Sequence, residues 1–324
     1  TGVTNNNWDA AAGSYTLENS AYSTTLDFVG FDVSTASFTT NFSVSAQDSF
    51  PSGLAFNTNG TKMFVVGTGG DEVNEYALST AFDVSTAVYS TVFSVAAQDV
   101  SPIGLAFNSD GTKMFVVGNQ DQDINEYSLS TGFDVSTASF TTNFSVSAQD
   151  TSPQHIAFNG DGTKMFFTGN QGDDVNEYTL STGFDISTAS FVDSFSVSAQ
   201  ETNPKGLSFN SDGTEMFVVG ITGQDINQYT LSTGFDVSTA SFVASYSVSS
   251  ENASPEAIVF SPDGTKMFMS GQSAVEINEY TVGQSLQLGT GSFASTDVGK
   301  TINVNDGVLI LTATDGSYAE TTAP

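Results

Sequence analysis

The sequence predicts an all-β protein built from a tandem structural repeat, and three observations carry this prediction. The segment Phe-Asp-Val-Ser-Thr-Ala recurs with its Phe at positions 31, 82, 133, 184 and 235, with Ile replacing Val in the fourth copy. Pro, Met and Tyr recur in the same register from positions 51, 63 and 76, each with a period of 51 residues. Short apolar runs separated by Asn/Asp-Gly turns are typical of strands joined in hairpins. Periods of about 40 to 50 residues occur in propellers and solenoids.

Each repeat contains four predicted strands. In the first full copy these begin with residues 53–56 and 62–66, joined by a Gly-containing turn, and continue with residues 73–78. The fourth strand is best seen at residues 38–45, where apolar and polar side chains alternate as in a half-exposed strand. Four-stranded units rich in aromatic residues and punctuated by glycine favour the blades of a β-propeller over a solenoid.

The strand count at the two ends predicts a closed ring. A lone fourth strand precedes four complete units, and three strands at 257–281 have no fourth strand after them. We therefore expect residues 38–45 to pair with the strand near 275–281, closing a five-bladed propeller and removing two open sheet edges. The alternative is an open array cut from a longer repeat protein. The expected domains are an N-terminal extension (1–30), the propeller (31–282) and a C-terminal β extension or linker (283–324).

Composition excludes several classes of function. The chain has 36 acidic and six basic residues, a net charge of -30, and all its basic residues are lysine. Nucleic acid and anionic membranes are therefore unsuitable partners. The absence of cysteine excludes disulfides, thiolate catalysis and Cys-ligated zinc, and a single histidine excludes sites that need two imidazoles. The apolar runs are too short for membrane insertion. We take the chain as a processed protein or a piece of a longer one.

One stretch resembles a known repeat family. Phe-Ser-Pro-Asp-Gly-Thr-Lys-Met-Phe at 260–268 is similar to the strand-turn-strand signature of YVTN-type propellers. The whole repeat resembles propeller modules in structural and surface proteins of marine bacteria and bacteriophages. Residues 293–302 and 308–318 resemble small β elements of phage fibre and appendage proteins. The resemblance implies a virion part, whereas the propeller fold alone hosts enzymes, scaffolds and lectins.

The fixed period arranges the acidic residues in rings. In a propeller, the loops between strands two and three and the links between blades lie on one face. We expect two rings there: Glu72, Asp123, Asp174, Asp225 and Glu276; and Asp48, Asp99, Asp150 and Glu201, with Asn252 as its fifth member. The loops on this face differ between copies, whereas the Asp-Gly turns and Phe-Asp-Val-Ser-Thr-Ala links of the opposite face barely change. The varied acidic face is thus the candidate binding face, and the alternative is a solvated surface suited to a salty environment.

Calcium is a candidate ligand, and no other cofactor is expected. Residues 121–125 begin like an EF-hand loop, but Glu126 replaces the required glycine and no bidentate Glu follows at the right spacing. The Asn-x-Asp-Gly turns also resemble calcium loops. Asx turns with glycine at positive φ account for them without a metal.

Catalysis would have to use the channel mouth, where the repeats differ most. Equivalent positions there read Ser52, Ile103, Gln154, Lys205 and Glu256, and His155 replaces a Gly or Ala of the other copies. Gln154, His155, Lys205 and Glu256 could carry acid-base chemistry, as the paired carboxylates of propeller glycosidases do. No second unique carboxylate joins this group, so we expect no enzyme and no catalytic residues.

Two coupled changes in the fourth copy predict a cross-strand pair. Four copies carry Lys at the start of the second strand and Glu in the third, whereas the fourth carries Glu215 and Gln228. We expect Lys62 and Glu75 to lie directly opposite each other across a tight turn at Thr68 and Gly69.

These observations favour a noncatalytic structural or recognition module, in a virion appendage such as a tail fibre or in a surface adhesin. The expected location is the virion or an extracellular surface. The expected partners are other virion or filament subunits and cell-surface carbohydrate. Two alternatives remain: a homopolymeric filament subunit whose terminal segments dock on neighbours, and a carbohydrate-active enzyme.

Overall fold

The computed structural model describes residues 30–283 in full and, outside that range, only the backbone of eight strands. The chain divides into two compact units. One is Val33–Gly283, and the other combines Thr1–Asp32 with Gln284–Pro324. Within the described residues, no helix has both the length and the hydropathy needed to cross a lipid bilayer.

The structure is almost entirely β-sheet. Before the repeats come β1 (Asn5–Asp9), β2 (Ser14–Asn19), β3 (Tyr22–Val29) and β4 (Ser37–Ser43). Blade 1 contains β5 (Pro51–Phe56), β6 (Lys62–Gly67), β7 (Glu72–Leu78) and β8 (Ala87–Ser94); blade 2 contains β9 (Pro102–Phe107), β10 (Lys113–Gly118), β11 (Asp123–Leu129) and β12 (Ala138–Ser145). Blade 3 contains β13 (Pro153–Phe158), β14 (Lys164–Gly169), β15 (Asp174–Leu180) and β16 (Ala189–Ser196); blade 4 contains β17 (Pro204–Phe209), β18 (Glu215–Gly220), β19 (Asp225–Leu231) and β20 (Ala240–Ser247). The last repeat supplies β21 (Pro255–Phe260), β22 (Lys266–Gly271) and β23 (Glu276–Thr281), and the C-terminal segment supplies β24 (Ser285–Leu288), β25 (Thr301–Val304), β26 (Gly307–Ile310), β27 (Thr312–Thr314) and β28 (Ser317–Ala319).

The predicted ring closure is confirmed. Strand β23 pairs antiparallel with β4, with Ile277 opposite Phe42 and Asn278 opposite Asn41, so β4 completes blade 5. Every blade is therefore a four-stranded antiparallel sheet, and the protein is a five-bladed β-propeller. The outer strand shows the expected alternation of exposed and half-buried residues along β4.

The two ends of the chain also pair with each other. Strand β24 lies antiparallel to β3 in a sheet of order β1-β2-β3-β24, and β25–β26 and β27–β28 form two separate hairpins. The expected C-terminal β elements are therefore present from Thr301 onwards, whereas residues 293–300 of the fibre-like segment lie outside the described residues.

Short polar turns join the first and second strands on the Asp-Gly face. In blade 2, Asp110 Oδ1 accepts hydrogen bonds from the backbone N–H of Thr112 at 2.9 Å and from its hydroxyl at 2.6 Å, which confirms the predicted Asx turn. Gly111 follows at φ 71°. A Cβ on Gly111 would lie 2.3 Å from the ring of Phe133, so this position needs glycine for both its backbone angle and its close contact.

The hydrophobic core lies between adjacent blades. The cluster between blades 5 and 1 contains Phe268, Met63 and Tyr76, all fully buried. Aromatic contacts repeat at each boundary, as where the Phe64 and Phe107 ring centroids lie 4.5 Å apart. Because each blade covers its apolar faces with its neighbours, the ring must close for all five to be covered.

Ion pairs at the Asp-Gly face join neighbouring blades. Lys62 Nζ lies 2.8 Å from Glu75 Oε1 and donates a 2.6 Å hydrogen bond to the Phe133 carbonyl of blade 2. Glu75 Oε2 accepts a 3.1 Å hydrogen bond from the Val135 N–H, also in blade 2. We call Glu75, Glu126, Glu177 and Glu279 the joint glutamates. The same arrangement recurs for Lys113–Glu126 with Phe184 and Ile186, Lys164–Glu177 with Phe235 and Val237, and Lys266–Glu279 with Phe82 and Val84.

The predicted contact between these side chains is correct, but the predicted register is wrong. Lys62 lies opposite Ala77, and Glu75 lies opposite Phe64. A four-residue turn at 68–71 replaces the tight turn expected, which shifts the register by two residues. Because a shift of two keeps both side chains on the same face of the sheet, they meet diagonally. In blade 4, Gln228 Nε2 donates a 3.2 Å hydrogen bond to Glu215 Oε1, so the two changes are indeed coupled.

Candidate functional site

The first ring of the acidic face organises turns. We call its members the turn-cradle ring: Asp48, Asp99, Asp150, Glu201 and Asn252, all nearly or fully buried. In blade 3, Asp150 Oδ1 accepts from the Ser152 N–H at 2.6 Å, and Oδ2 accepts from the N–H groups of Gln171 and Gly172 at 3.0 and 2.8 Å. Glu201 makes equivalent bonds to the turn of blade 4. Each carboxylate thus ties the link before its blade to the turn between the second and third strands.

The second ring lies beside the first. We call its members the strand-three ring: Glu72, Asp123, Asp174, Asp225 and Glu276. Asparagines two residues further on donate to the three aspartates, as Asn176 Nδ2 does to Asp174 Oδ1 at 2.7 Å. The two rings meet in like-charged pairs, such as Asp174 with Asp150. The predicted set therefore comes together as one face, but the turn-cradle ring lies beneath its surface.

Burial raises the pKa values of several carboxyl groups on this face. Desolvation, with a smaller contribution from the Asp150 and Asp173 charges, raises the pKa of Asp174 to about 6. Desolvation likewise raises the pKa of Glu72, Asp123 and Asp225, each with a smaller contribution from a neighbouring turn-cradle carboxylate. These four carboxyl groups therefore keep their protons to a higher pH than ordinary carboxyl groups do.

Within the part of the chain that the structure describes, no three His, Cys, Asp or Glu side chains converge as a metal site would require. In blades 1 to 4 the paired carboxylates offer two carboxylate side chains per blade, and in blade 5 Glu276 is beside Asn252 instead. A calcium ion there would take its remaining ligands from turn carbonyl groups and water, which are common calcium ligands.

The tips of the acidic-face turns are exposed and differ between blades. They read Gly69-Gly70, Gln120-Asp121, Gln171-Gly172, Thr222-Gly223 and Ser273-Ala274. The fourth position of every turn has positive φ, from 49° at Asp173 to 57° at Gln122. The backbone is thus held in one shape while the exposed side chains vary, as on other binding scaffolds.

Three predicted mouth residues form a chain of polar contacts across blades 3, 4 and 5. Lys205 Nζ donates a 2.7 Å hydrogen bond to Gln154 Oε1 and lies 3.9 Å from Glu256 Oε2. Desolvation raises the pKa of Glu256 to about 7, and the Lys205 charge opposes this shift. The channel mouth therefore contains one carboxyl group, that of Glu256, which titrates near neutral pH. The neighbouring side chains of Lys205 and Gln154 are hydrogen-bonded to each other.

His155 lies deeper, in the channel wall. It is 4% exposed, and burial lowers its pKa to about 4. Its backbone N–H donates to Thr168 Oγ1 at 3.1 Å, and Thr168 Oγ1 donates to the Lys205 carbonyl at 2.6 Å. Nδ1 has no hydrogen-bond partner among the described residues. The structure thus separates His155 from the polar contacts that link the other three mouth residues.

Sequence reasoning missed the residue that accommodates this histidine. Thr168 occupies the position held by Val66, Val117 and Val219 in blades whose first strand carries glycine. Ser270 holds the same position in blade 5, where Ala257 replaces the glycine. A Cβ on Gly53 would lie 2.6 Å from Val66 Cγ1, so a side chain there requires a different residue opposite it. This paired departure was visible in the sequence.

No protein-family model and no curated protein matches the chain. Among solved structures, glutaminyl cyclase from Myxococcus xanthus is similar with a TM-score of 0.54 and 12% identity, covering 77% of this chain and 97% of that one. The periplasmic gluconolactonase PpgL from Pseudomonas aeruginosa has a TM-score of 0.42 and 14% identity, covering 87% of this chain and 84% of that one. At 12% identity the similarity to the glutaminyl cyclase concerns the fold alone. The propeller fold of this chain is shown by the pairing of its own strands.

Proposed function

We propose that this chain is a noncatalytic structural and recognition module of a bacteriophage virion appendage, such as a tail fibre, or of a surface adhesin. One observation supports this most: the repeated charged residues hold turns and blades together, while sequence variation falls on the exposed turn tips of the acidic face. Rigid frames that present variable tips are typical of recognition modules. The virion or extracellular setting follows from the resemblance of the repeats.

Its partners on this proposal are other virion or surface subunits and cell-surface carbohydrate. Binding of the labelled full chain to a glycan array tests the carbohydrate part. The variant Gln120→Ala/Asp121→Ala alters an exposed tip of the acidic face, and Thr58→Ala/Ser109→Ala is its matched control at exposed positions of the Asp-Gly face. We expect the first variant to weaken binding and the second to leave it unchanged. Equal binding by both variants would contradict the choice of face.

The location has its own test. An antibody raised against the propeller should label appendages or surfaces of the source particles or cells in electron micrographs. Labelling confined to the cell interior would contradict the proposal.

We further propose calcium as a ligand of the acidic face. The support is the pairing of carboxylates from the two rings in blades 1 to 4, together with the raised pKa values of Glu72, Asp123, Asp174 and Asp225. Calcium added to chelator-treated protein should raise the melting temperature, because a ligand of the native state stabilises it by about 2.7 kcal/mol at 100 times its Kd. Magnesium at the same concentration serves as the control. An unchanged melting temperature at millimolar calcium would contradict this proposal.

A further inference from the structure

The two ends of the central channel differ in chemistry. At the acidic face, Gln154, Lys205 and Glu256 form the connected polar group described above. Towards the Asp-Gly face, the channel widens into a cavity of about 430 Å³. This cavity lies opposite the proposed recognition face and is independent of that function.

The cavity wall is mostly apolar and comes from all five blades, with Ser208 and Asn210 of blade 4 among its polar residues. Equivalent positions of the five first strands contribute Leu54, Leu105, Ile156, Leu207 and Ile258. Phe107, Phe158 and Phe209 lie closer to the Asp-Gly turns, where the exposed residues Gly160 and Ser211 also line the cavity. A mostly apolar concave site of 300 to 1,000 Å³ with few polar groups is typical of small-molecule sites.

His155 brings an imidazole into this wall. It is the one titratable side chain lining the cavity within the described residues. Burial keeps the imidazole neutral at pH 7, since its pKa is lowered to about 4. The Nδ1 atom of this imidazole is buried without a hydrogen-bond partner among the described residues, and an unpaired buried polar atom is a feature that packing alone does not favour.

The other four blades have a smaller residue at the position of His155. Three of them place glycine at this position, and the fifth places alanine. Blade 3 instead accommodates the imidazole by exchanging Val for Thr168, whose hydroxyl takes over the bond to the His155 N–H. The ladder between the first two strands is irregular at this point in every blade, but in blade 3 the irregularity extends as far as Ile156, so His155 and Thr168 are not paired in the ladder.

We propose that the cavity binds a neutral, largely apolar small molecule bearing one hydroxyl group, such as an aryl or alkyl alcohol, with that hydroxyl hydrogen-bonded to the His155 imidazole. The apolar wall selects for hydrocarbon, and a neutral imidazole offers one donor and one acceptor. An anionic ligand is disfavoured because the chain carries a charge of -30 and the ammonium of Lys205, at the other end of the channel, is already engaged with Gln154 and Glu256.

Calorimetric titration of the full chain with 4-butylphenol and with butylbenzene tests the proposal. The two probes differ only in the hydroxyl group. We expect saturable binding of 4-butylphenol at least about tenfold tighter than that of butylbenzene, since one hydrogen bond in an apolar site contributes about 1.4 kcal/mol.

Two variants assign the effect to this site. His155→Phe keeps an aromatic ring but removes its hydrogen bonding, so it should fold and lose the discrimination between the probes. His155→Gly/Thr168→Val is a second variant without the imidazole. It reproduces the Gly104 and Val117 pair of blade 2, which the repeat already accommodates. A third variant, Ala106→Phe, fills the cavity and should abolish binding of both probes.

Several results would overturn the proposal. Failure of the wild-type chain to bind 4-butylphenol saturably would do so, as would equal discrimination by wild type and His155→Phe. Unchanged binding by folded Ala106→Phe would place the ligand elsewhere. The glycan-array result does not bear on any of these outcomes, so this inference and the proposed function fail separately.

Discussion

The third strands carry two sets of carboxylates three residues apart, and the two sets are stabilised in different ways. The joint glutamates, which blade 4 lacks, are buried, whereas the strand-three ring is buried at Asp123 and half-buried at its other four positions. The joint glutamates pair with lysine and accept from backbone N–H groups of the next blade. The strand-three aspartates have asparagine side chains as hydrogen-bond partners and a second carboxylate beside them. The comparison shows that this very acidic protein places four of its six lysines where blades meet, whereas the strand-three aspartates rely on asparagine partners.

The largest expected effect comes from removing β4, the strand that closes the ring. Deleting residues 1–46 removes β4 and the 3₁₀ turn Val33–Thr35, including the fully buried Val33 and Val44. Those two valines alone contribute about 3–6 kcal/mol, and the loss of β4 leaves β23 as an open edge. We expect aggregation and a collapsed melting transition in scanning calorimetry. Deletion of residues 1–30 is the control and should leave the propeller transition in place.

The next prediction breaks one ion pair. Lys164→Met should destabilise the protein by about 2–3 kcal/mol in denaturant unfolding, because it leaves the nearly buried Glu177 without its cation. Adding Glu177→Gln should recover part of this loss, since a neutral amide needs no counter-charge. If Lys164→Met lowers the free energy of unfolding no more than substitution of an exposed residue does, the ion pairs do not stabilise the contacts between blades.

The strand-three ring should respond in the opposite direction. The pKa of Asp174 is raised to about 6, so its contribution to stability is complete below its ordinary pKa and is lost as pH rises through about 6. Asp174→Asn should therefore stabilise the protein by about 1–2 kcal/mol at pH 8, after allowance for solvent screening, and by much less at pH 4. Asp121→Asn, on the exposed turn tip, is the matched control. A pH-independent effect of Asp174→Asn would contradict the assignment.

The smallest predicted effect installs the missing ion pair in blade 4. Glu215→Lys with Gln228→Glu should stabilise the protein by about 0.5–1 kcal/mol, whereas Gln228→Glu alone should destabilise it by placing two carboxylates together. A double-mutant cycle measures the coupling. Additive single effects would show that the two positions do not interact in the ring.

The sequence by itself determined the architecture. The 51-residue period, the turn glycines and the strand alternation predicted five four-stranded blades, and the missing fourth strand at one end predicted closure by β4. These features are readable because they depend on local chemistry repeated five times. The coupled change at Glu215 and Gln228 even revealed a side-chain contact, because two substitutions in one copy stand out against four unchanged ones.

The tertiary structure decided the register and the depth of each side chain. Lys62 and Glu75 meet diagonally because the turn has four residues, and turn length cannot be read from the coupled substitutions. The carboxylates of the turn-cradle ring look like surface charges in the sequence, yet Glu201 is fully buried because the turn of its own blade folds over it. The apolar cavity beneath His155 exists only when five first strands surround one axis, so no single repeat encodes it.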